Sequence, residues 1–296
     1  MSQKDWGLAL LVVLAWGVNF VVIRWGLDQL PPLLLGALRF SLVALPAVFF
    51  VKRPKLPLRW LISYAMTISF GQFALLFSAM YVGMPAGLAS LVLQAQMFFT
   101  ILFAGLFLNE AWRAHHLLSM LIAACGLGLL ASQSGDTAMT VTGLALTLSA
   151  AACWGAGNII NRRISQRYSV PLLSLVVWSA LIPPLPFLAM SWMLEGPTLI
   201  ASSITDSGLQ AWGSLVYLAA IATLFGYSAW GGLLTRYPAA QVAPLTLLVP
   251  VIGLFSAWII LGETLNLIQG AGILLILAGL IIGVFGARLT RAKAST

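Results

Sequence analysis

Ten runs of about 20 apolar residues follow one another along this chain, the length that crosses the hydrocarbon core of a bilayer as a helix. Their approximate bounds are 7–27, 33–51, 60–81, 85–108, 115–132, 141–161, 171–193, 211–234, 238–261 and 266–286. The runs are too long for strands and lack period-two alternation, so each predicts a transmembrane helix. The connectors are short, apart from the polar, Ser-rich stretch 194–210, and they leave no room for a soluble catalytic domain.

The pattern is written twice. Trp16-Gly17 with Arg24 returns 138 residues later as Trp154-Gly155 with Arg162, and Ser41 and Pro46 return as Ser179 and Pro184. At an offset of 153, Pro85-Ala86 returns as Pro238-Ala239, Leu108-x-Glu110 as Leu261-x-Glu263, and Gly126 as Gly279. The halves, 1–138 and 139–296, hold five runs each. An odd number forces the second half to enter the membrane from the opposite side. The expected fold is therefore an all-α integral membrane protein of ten transmembrane helices in two inverted five-helix repeats. Inverted repeats enclose their binding site near the midplane, where the two copies face each other.

Composition narrows the class further. The chain is 61% hydrophobic and 7% charged, against about 25% charged residues in soluble domains. Its net charge of +8 does not indicate nucleic acid, because the basic residues fall in the connectors. With both termini in the cytoplasm, 13 of the 15 Lys and Arg lie inside, which predicts an N-in, C-in topology. Lys4 and the run after it imitate a signal peptide, but no small-x-small cleavage site follows and the Trp-Gly pattern within it recurs, so it reads as part of the fold. Cys125 and Cys153 lie inside apolar runs and read as buried, unpaired thiols.

Intramembrane polar residues are the place to look for function. Arg39 lies about six residues into the second run, roughly 10 Å along the axis. There it can meet a substrate carboxylate, bond helix carbonyls, or snorkel outward. Its repeat counterpart is the apolar Val177. Gln94 and Gln96 lie near the middle of the fourth run and, two residues apart on a helix, point roughly 160° from each other. One is expected to face a cavity and the other to tie helices together. Asn19 and Asn158 follow the two Trp-Gly pairs, and Gln72 lies in the third run. Each amide alone reads more readily as an interhelical hydrogen bond than as a ligand contact; five near the midplane imply a shared wet cavity. Trp16, Trp154, Tyr81, Tyr227 and Trp230 are candidate walls. Pro244 and Pro250 free carbonyls within the ninth run, which makes it the candidate hinge. Gly279-x-x-x-Gly283 reads as a small-residue packing face.

The remaining motifs exclude more than they assign. The chain carries no G-x-x-x-x-G-K-[ST] and no carboxylate deep in a run; Glu110 and Glu263 close theirs. His115-His116 sit at a helix start and read as solvated rather than metal-binding. No nucleophile–base set appears. The reading is of a chain that is not an enzyme, with no cofactor and no metal, whose partners are the lipid bilayer and a small solute rather than nucleic acid.

The paired halves, each with Trp-Gly near its start, Pro-Ala opening its fourth helix and Glu closing it, resemble the EamA family of the drug/metabolite transporter superfamily along the whole chain. The stretches GMPAGLASLVLQAQMFFT (83–100) and APLTLLVPVIGL (243–254) resemble members of that family that export O-acetylserine and cysteine. One departure is Asn109-Glu110, where the family often has Gly-Glu. The resemblance implies a bacterial inner-membrane exporter of small amino-acid metabolites, or else a broader amino-acid or drug efflux transporter. It also implies a cavity built from the third, fourth, eighth and ninth helices. A small zwitterionic substrate agrees with the residues, since Arg39 suits a carboxylate and the amides and aromatic faces suit an ammonium.

Overall fold

The computed structural model describes residues 1–133 and 139–293, the side chains of 239, 240 and 287–293 excepted. The expected break between halves at 138 thus falls on residues outside the description. With the shorter helices Pro197–Asp206 and Ala239–Val242 between them, ten principal helices make up most of the described chain. They are α1 (Gln3–Leu27), α2 (Pro32–Ala47), α3 (Leu58–Tyr81), α4 (Ala86–Leu108), α5 (Ala114–Ser132), α6 (Val141–Arg167), α7 (Leu172–Leu194), α8 (Leu209–Arg236), α9 (Ala243–Leu261) and α10 (Leu267–Lys293). Nine of these are long and apolar enough to cross a membrane among the described residues, and none of those residues forms a strand.

The second run, expected to reach 51, stops as a helix at Ala47, leaving α2 at 16 residues. Pro46 supplies no amide hydrogen to its last turn. The chain beyond it spends its carbonyls elsewhere: Val51 accepts from the Trp178 indole at 2.9 Å and Lys52 from the Ser174 hydroxyl at 2.6 Å. The bundle's outer surface is apolar, with Phe50, Leu185, Met193, Leu209 and Leu267 all more than three-quarters exposed. Such a surface is at rest only in lipid. Cys125, expected to be buried, is exposed on α5, where an apolar solvent accommodates a thiol as readily as a core does. Both cysteines are unpaired.

The first helix of each half packs against the third and fourth helices of the other. α1 lies on α8 and α9, and α6 lies on α3 and α4. The Trp-Gly pairs explain how. A Cβ on Gly17 would overlap the Ile252 side chain of α9, and one on Gly155 would come within 2.7 Å of Phe99 and 3.1 Å of the Thr100 amide on α4. Glycine thus allows each first helix to close on its partner's fourth. α5 and α10 form a separate pair, in which a Cβ on Gly279 would stand 2.8 Å from the Ser119 carbonyl. The small-residue stripe is therefore used within the chain.

Three departures from regular helix repeat in both halves. α3 contains a π-helical segment, Ala65–Gly71, and α8 contains another, Tyr217–Phe225. α4 is interrupted by a 3₁₀ turn at Leu93–Ala95, and α9 opens with one at Ala243–Leu247. α4 and α9 both end on a left-handed residue, Asn109 at φ 54° and Gly262 at φ 68°. The Asn at 109 meets the same backbone demand as Gly, because asparagine tolerates this region better than most side chains.

The two ends of the bundle are tied differently. At one end, the Glu263 carboxylate accepts the first amides of α4, from Ala86 at 2.6 Å and Gly87 at 2.9 Å. Here too the Thr140 hydroxyl donates to the Val82 carbonyl at 2.8 Å, and Arg24 holds Asp28 at 3.2 Å. At the other end, Glu110 is held by Arg162 at 2.6 Å instead, and Asp5 by Arg236 at 2.6 Å.

Candidate functional site

A cavity of ≈ 310 Å³ lies between the halves. The irregular segments shape it. π-helical and 3₁₀ segments arise where a helix departs from its i→i−4 ladder, and π-bulges gather at functional sites. Here the Ala222 carbonyl, inside the π segment of α8, accepts the Trp16 indole N–H at 2.9 Å. The Thr223 hydroxyl beside it donates to the Leu218 carbonyl at 2.8 Å and accepts from Arg39 Nη2 at 3.2 Å. Trp16 also stands over Tyr227 and Trp230, at 5.7 and 5.2 Å between ring centroids, forming an aromatic wall.

Eight of the nine expected contact residues line this cavity: Asn19, Arg39, Gln72, Gln94, Gln96, Asn158, Tyr227 and Trp230. Tyr81 does not. It is 54% exposed at the last position of α3, away from the cavity. The expectation that Gln94 and Gln96 part to opposite sides is also corrected, since both reach the lining. Gln94 lies within the 3₁₀ turn of α4 and Gln96 directly follows it; each residue there rotates by about 120°, so their separation narrows to about 120° and long amide arms cover the remainder. Gln96 serves a second purpose as well: its Oε1 accepts from Asn158 Nδ2 at 2.7 Å, and Thr100 accepts from the same nitrogen at 3.0 Å.

Arg39 is 4% exposed and reaches from α2 to the floor of the cavity. Its guanidinium carbon lies 4.1 Å from the Phe73 ring centroid. A cation over an aromatic face is stabilised by the ring quadrupole. It makes no ion pair among the described residues, and it is the only charged side chain in the lining.

Of the candidate hinge prolines, Pro244 lies in the 3₁₀ turn that opens α9, and Pro250 lies in the first turn of regular helix after it. The Pro250 carbonyl receives the Ser90 hydroxyl at 3.4 Å. Asn161, Thr246 and Tyr64 also line the cavity and were not singled out from the sequence. Asn161 was within reach, because it stands three residues after Asn158 and so on the same helix face. Thr246 and Tyr64 carry no comparable signal.

The lining extends along the bundle to Asn161, Leu172 and Leu234, close to the end that bears Arg162 and Arg236. No lining residue comes from the end where Glu263 holds the start of α4. An apolar groove of ≈ 520 Å³ runs outside, along Pro46, Phe50, Leu173 and Leu224. With Ser228 its lone side-chain hydroxyl, it has little with which to recognise a polar solute.

The arrangement matches known proteins over nearly its whole length. The EamA-like transporter family model matches twice, over residues 6–132 and 141–285. A probable amino-acid metabolite efflux pump of Salmonella typhimurium is 54% identical over 294 residues, covering 98% of each chain. A protein described in the same words in Escherichia coli is 50% identical, covering 99% of this chain and 98% of its own. A solved crystal structure, 20% identical and covering 98% of this chain and 99% of its own, shares the fold with a TM-score of 0.66.

Proposed function

The chain belongs to the EamA-like transporter family, and on that premise we propose that it exports small zwitterionic amino-acid metabolites, O-acetylserine and cysteine among them, across the bacterial inner membrane. The observation that carries this reading is the central cavity, lined from both halves and reaching one end of the bundle, while at the other end Glu263 ties the end of α9 to the start of α4. A carrier needs a site that opens to one side at a time, and inverted repeats provide it.

The proposed topology has ten spans, N-in and C-in, with repeats 1–138 and 139–296. α2 is counted as a span: its 16 residues cover about 24 Å, and a thinned or adapted bilayer meets a short helix at modest cost. In this topology the open end, bearing Arg162 and Arg236, faces the cytoplasm. The state is then inward-open, the one in which an exporter loads. α9, with Pro244 and Pro250 near its start, is the proposed moving element. The aromatic wall accepts varied side chains, which favours a second, broader reading as an exporter of several amino acids or drugs. Purified protein in liposomes should exchange labelled cysteine or O-acetylserine saturably with no ATP present. Absence of saturable exchange for every amino-acid metabolite tried would overturn the proposal.

A further inference from the structure

Six buried side-chain atoms have no hydrogen-bond partner among the described residues, and four of them belong to residues that line the cavity. They are Arg39 Nε and Nη1, Gln72 Oε1 and Asn19 Oδ1. Buried polar groups are almost always satisfied, so a cluster of exceptions in one cavity calls for a ligand. Their chemistry is sorted by sign. Two are donors on a cation, and two are acceptors on neutral amides.

The three residues gather around one stretch of α8. Arg39 donates through Nη2 to Thr223 and lies on the Phe73 ring, which fixes the guanidinium while leaving Nε and both hydrogens of Nη1 free. Gln72 is the neighbour of Phe73, and both it and Arg39 are 4% exposed. Asn19 stands one turn beyond Trp16, whose indole is bound to the carbonyl next to Thr223. No carboxylate lines the cavity to neutralise Arg39.

We propose that the cavity seats an α-amino-acid zwitterion in one orientation, the carboxylate on Arg39, the ammonium on Asn19 and Gln72, and the side chain toward Trp16 and Trp230. This rests on the exporter reading of the same cavity and adds a selectivity to it. The carboxylate is the obligatory group. A ligand without one brings its ammonium into a site whose only charge is positive, and leaves the guanidinium unpaired. A ligand without the ammonium still answers Arg39 and loses only bonds to neutral amides. Tolerance therefore runs from zwitterion to N-blocked acid to carboxyl-free amine.

Three sulfur compounds of one skeleton test this: cysteine, N-acetylcysteine and cysteamine. Each competes against labelled cysteine in liposome counterflow, and each is also tested for thermal stabilisation of the detergent-solubilised protein. Cysteine should compete best, N-acetylcysteine less well, and cysteamine at least about tenfold more weakly than cysteine, the scale of lost charged hydrogen bonds. Arg39→Gln should erase the difference between cysteine and cysteamine, while Arg39→Lys should keep part of it. Asn19→Leu and Gln72→Leu should narrow the gap between cysteine and N-acetylcysteine. Cysteamine competing as well as cysteine in the unaltered protein would sink the proposal, as would Arg39→Gln weakening all three ligands equally in a protein of unchanged melting temperature. Should Arg39→Gln fail to accumulate, the three-compound order and Arg39→Lys decide. Saturable binding in the expected order without any flux would remove the exporter reading and leave the seat standing. Flux of cysteine with the order reversed would do the opposite.

Discussion

The two halves of this protein share a backbone and divide its chemistry. Both carry a π segment in the third helix and a 3₁₀ turn in the fourth, at matching places. Yet the first half supplies Arg39, Gln72, Gln94 and Gln96 to the cavity, where the repeat counterparts at offsets of 138 and 153 are Val177, Phe225, Leu247 and Val249. The second half answers with Tyr227 and Trp230, which extend the aromatic wall, and with the neutral polar groups of Asn158, Asn161 and Thr246, but with no charge. In the proposed carrier, duplication would give an opening at either end of the bundle in turn. Specialisation would give a ligand one orientation, because a seat built equally from both halves would bind it in two.

The hardest test of the shared backbone is at the Trp-Gly pairs. If Gly17 and Gly155 do the same work, Gly17→Leu and Gly155→Leu should each remove most of the folded protein from the membrane, read as a monodisperse peak in detergent. Overpacking a tight contact costs about 1–3 kcal/mol for a few methylenes, and here the Gly155 side meets backbone that cannot step aside. Normal accumulation of either variant would break the equivalence.

A second comparison concerns the two ends. Glu263 and Glu110 are repeat counterparts, but among the described residues Glu263 holds a helix start, whereas Glu110 is half-exposed in its pair with Arg162. Hydrogen bonds to a charged group contribute about 1.5–3 kcal/mol, whereas exposed ion pairs contribute about 0–1 kcal/mol. Glu263→Gln should therefore loosen the closed end, shifting the balance of states by roughly tenfold to a hundredfold. Glu110→Gln should do little. The readout is labelling of Ser90→Cys by an impermeant reagent from outside, with Cys125 and Cys153 replaced by Ala. Equal labelling in the two variants would show that Glu263 does not close that end.

How much of this was legible beforehand depends on what carries the signal. The all-helical character, nine of the ten expected spans and the twofold recurrence were legible because apolar length and Trp-Gly, Pro-Ala and Glu recur in the chain itself. The residues of the cavity were legible because polar side chains in lipid are costly enough to be informative. The π segments were not, since Ala65–Gly71 has the composition of any apolar helix and its bonding is set by what packs on it. The 3₁₀ turn of α4 was equally invisible, and so the angle between Gln94 and Gln96 was read from a regular helix, although both residues line the cavity as candidates. The end of α2 was overrun because Phe49 and Phe50 continue the apolar pattern past Pro46 while facing outward at 82% and 87% exposure.

The division of chemistry can be reduced one residue at a time. Gln94→Leu and Gln96→Val give the first half the residues of the second. One or both should weaken substrate affinity roughly twofold to tenfold, the loss of a neutral hydrogen bond, with protein abundance unchanged. Gln96→Val also deprives Asn158 of its 2.7 Å partner and should be the larger effect. If both variants bind normally, the polar half of the cavity is not where recognition occurs.

The smallest expected effect is at Tyr81. Its counterpart at an offset of 153, Leu234, lines the cavity, while Tyr81 does not. The two occupy matching backbone positions, so the difference lies in which end is open. Leu234 flanks the open end, and Tyr81 stands 54% exposed beyond the closed one. Tyr81→Ala should therefore leave affinity measured from the cytoplasmic side unchanged, whereas Leu234→Ala removes part of the lining and should weaken it. Binding measured from the opposite side would reverse the order, because an outward-open state exchanges the roles of the two ends. A loss of cytoplasmic-side affinity in Tyr81→Ala would mean that the cavity reaches further than Glu263 allows, and the assignment of an inward-open state would fall with it.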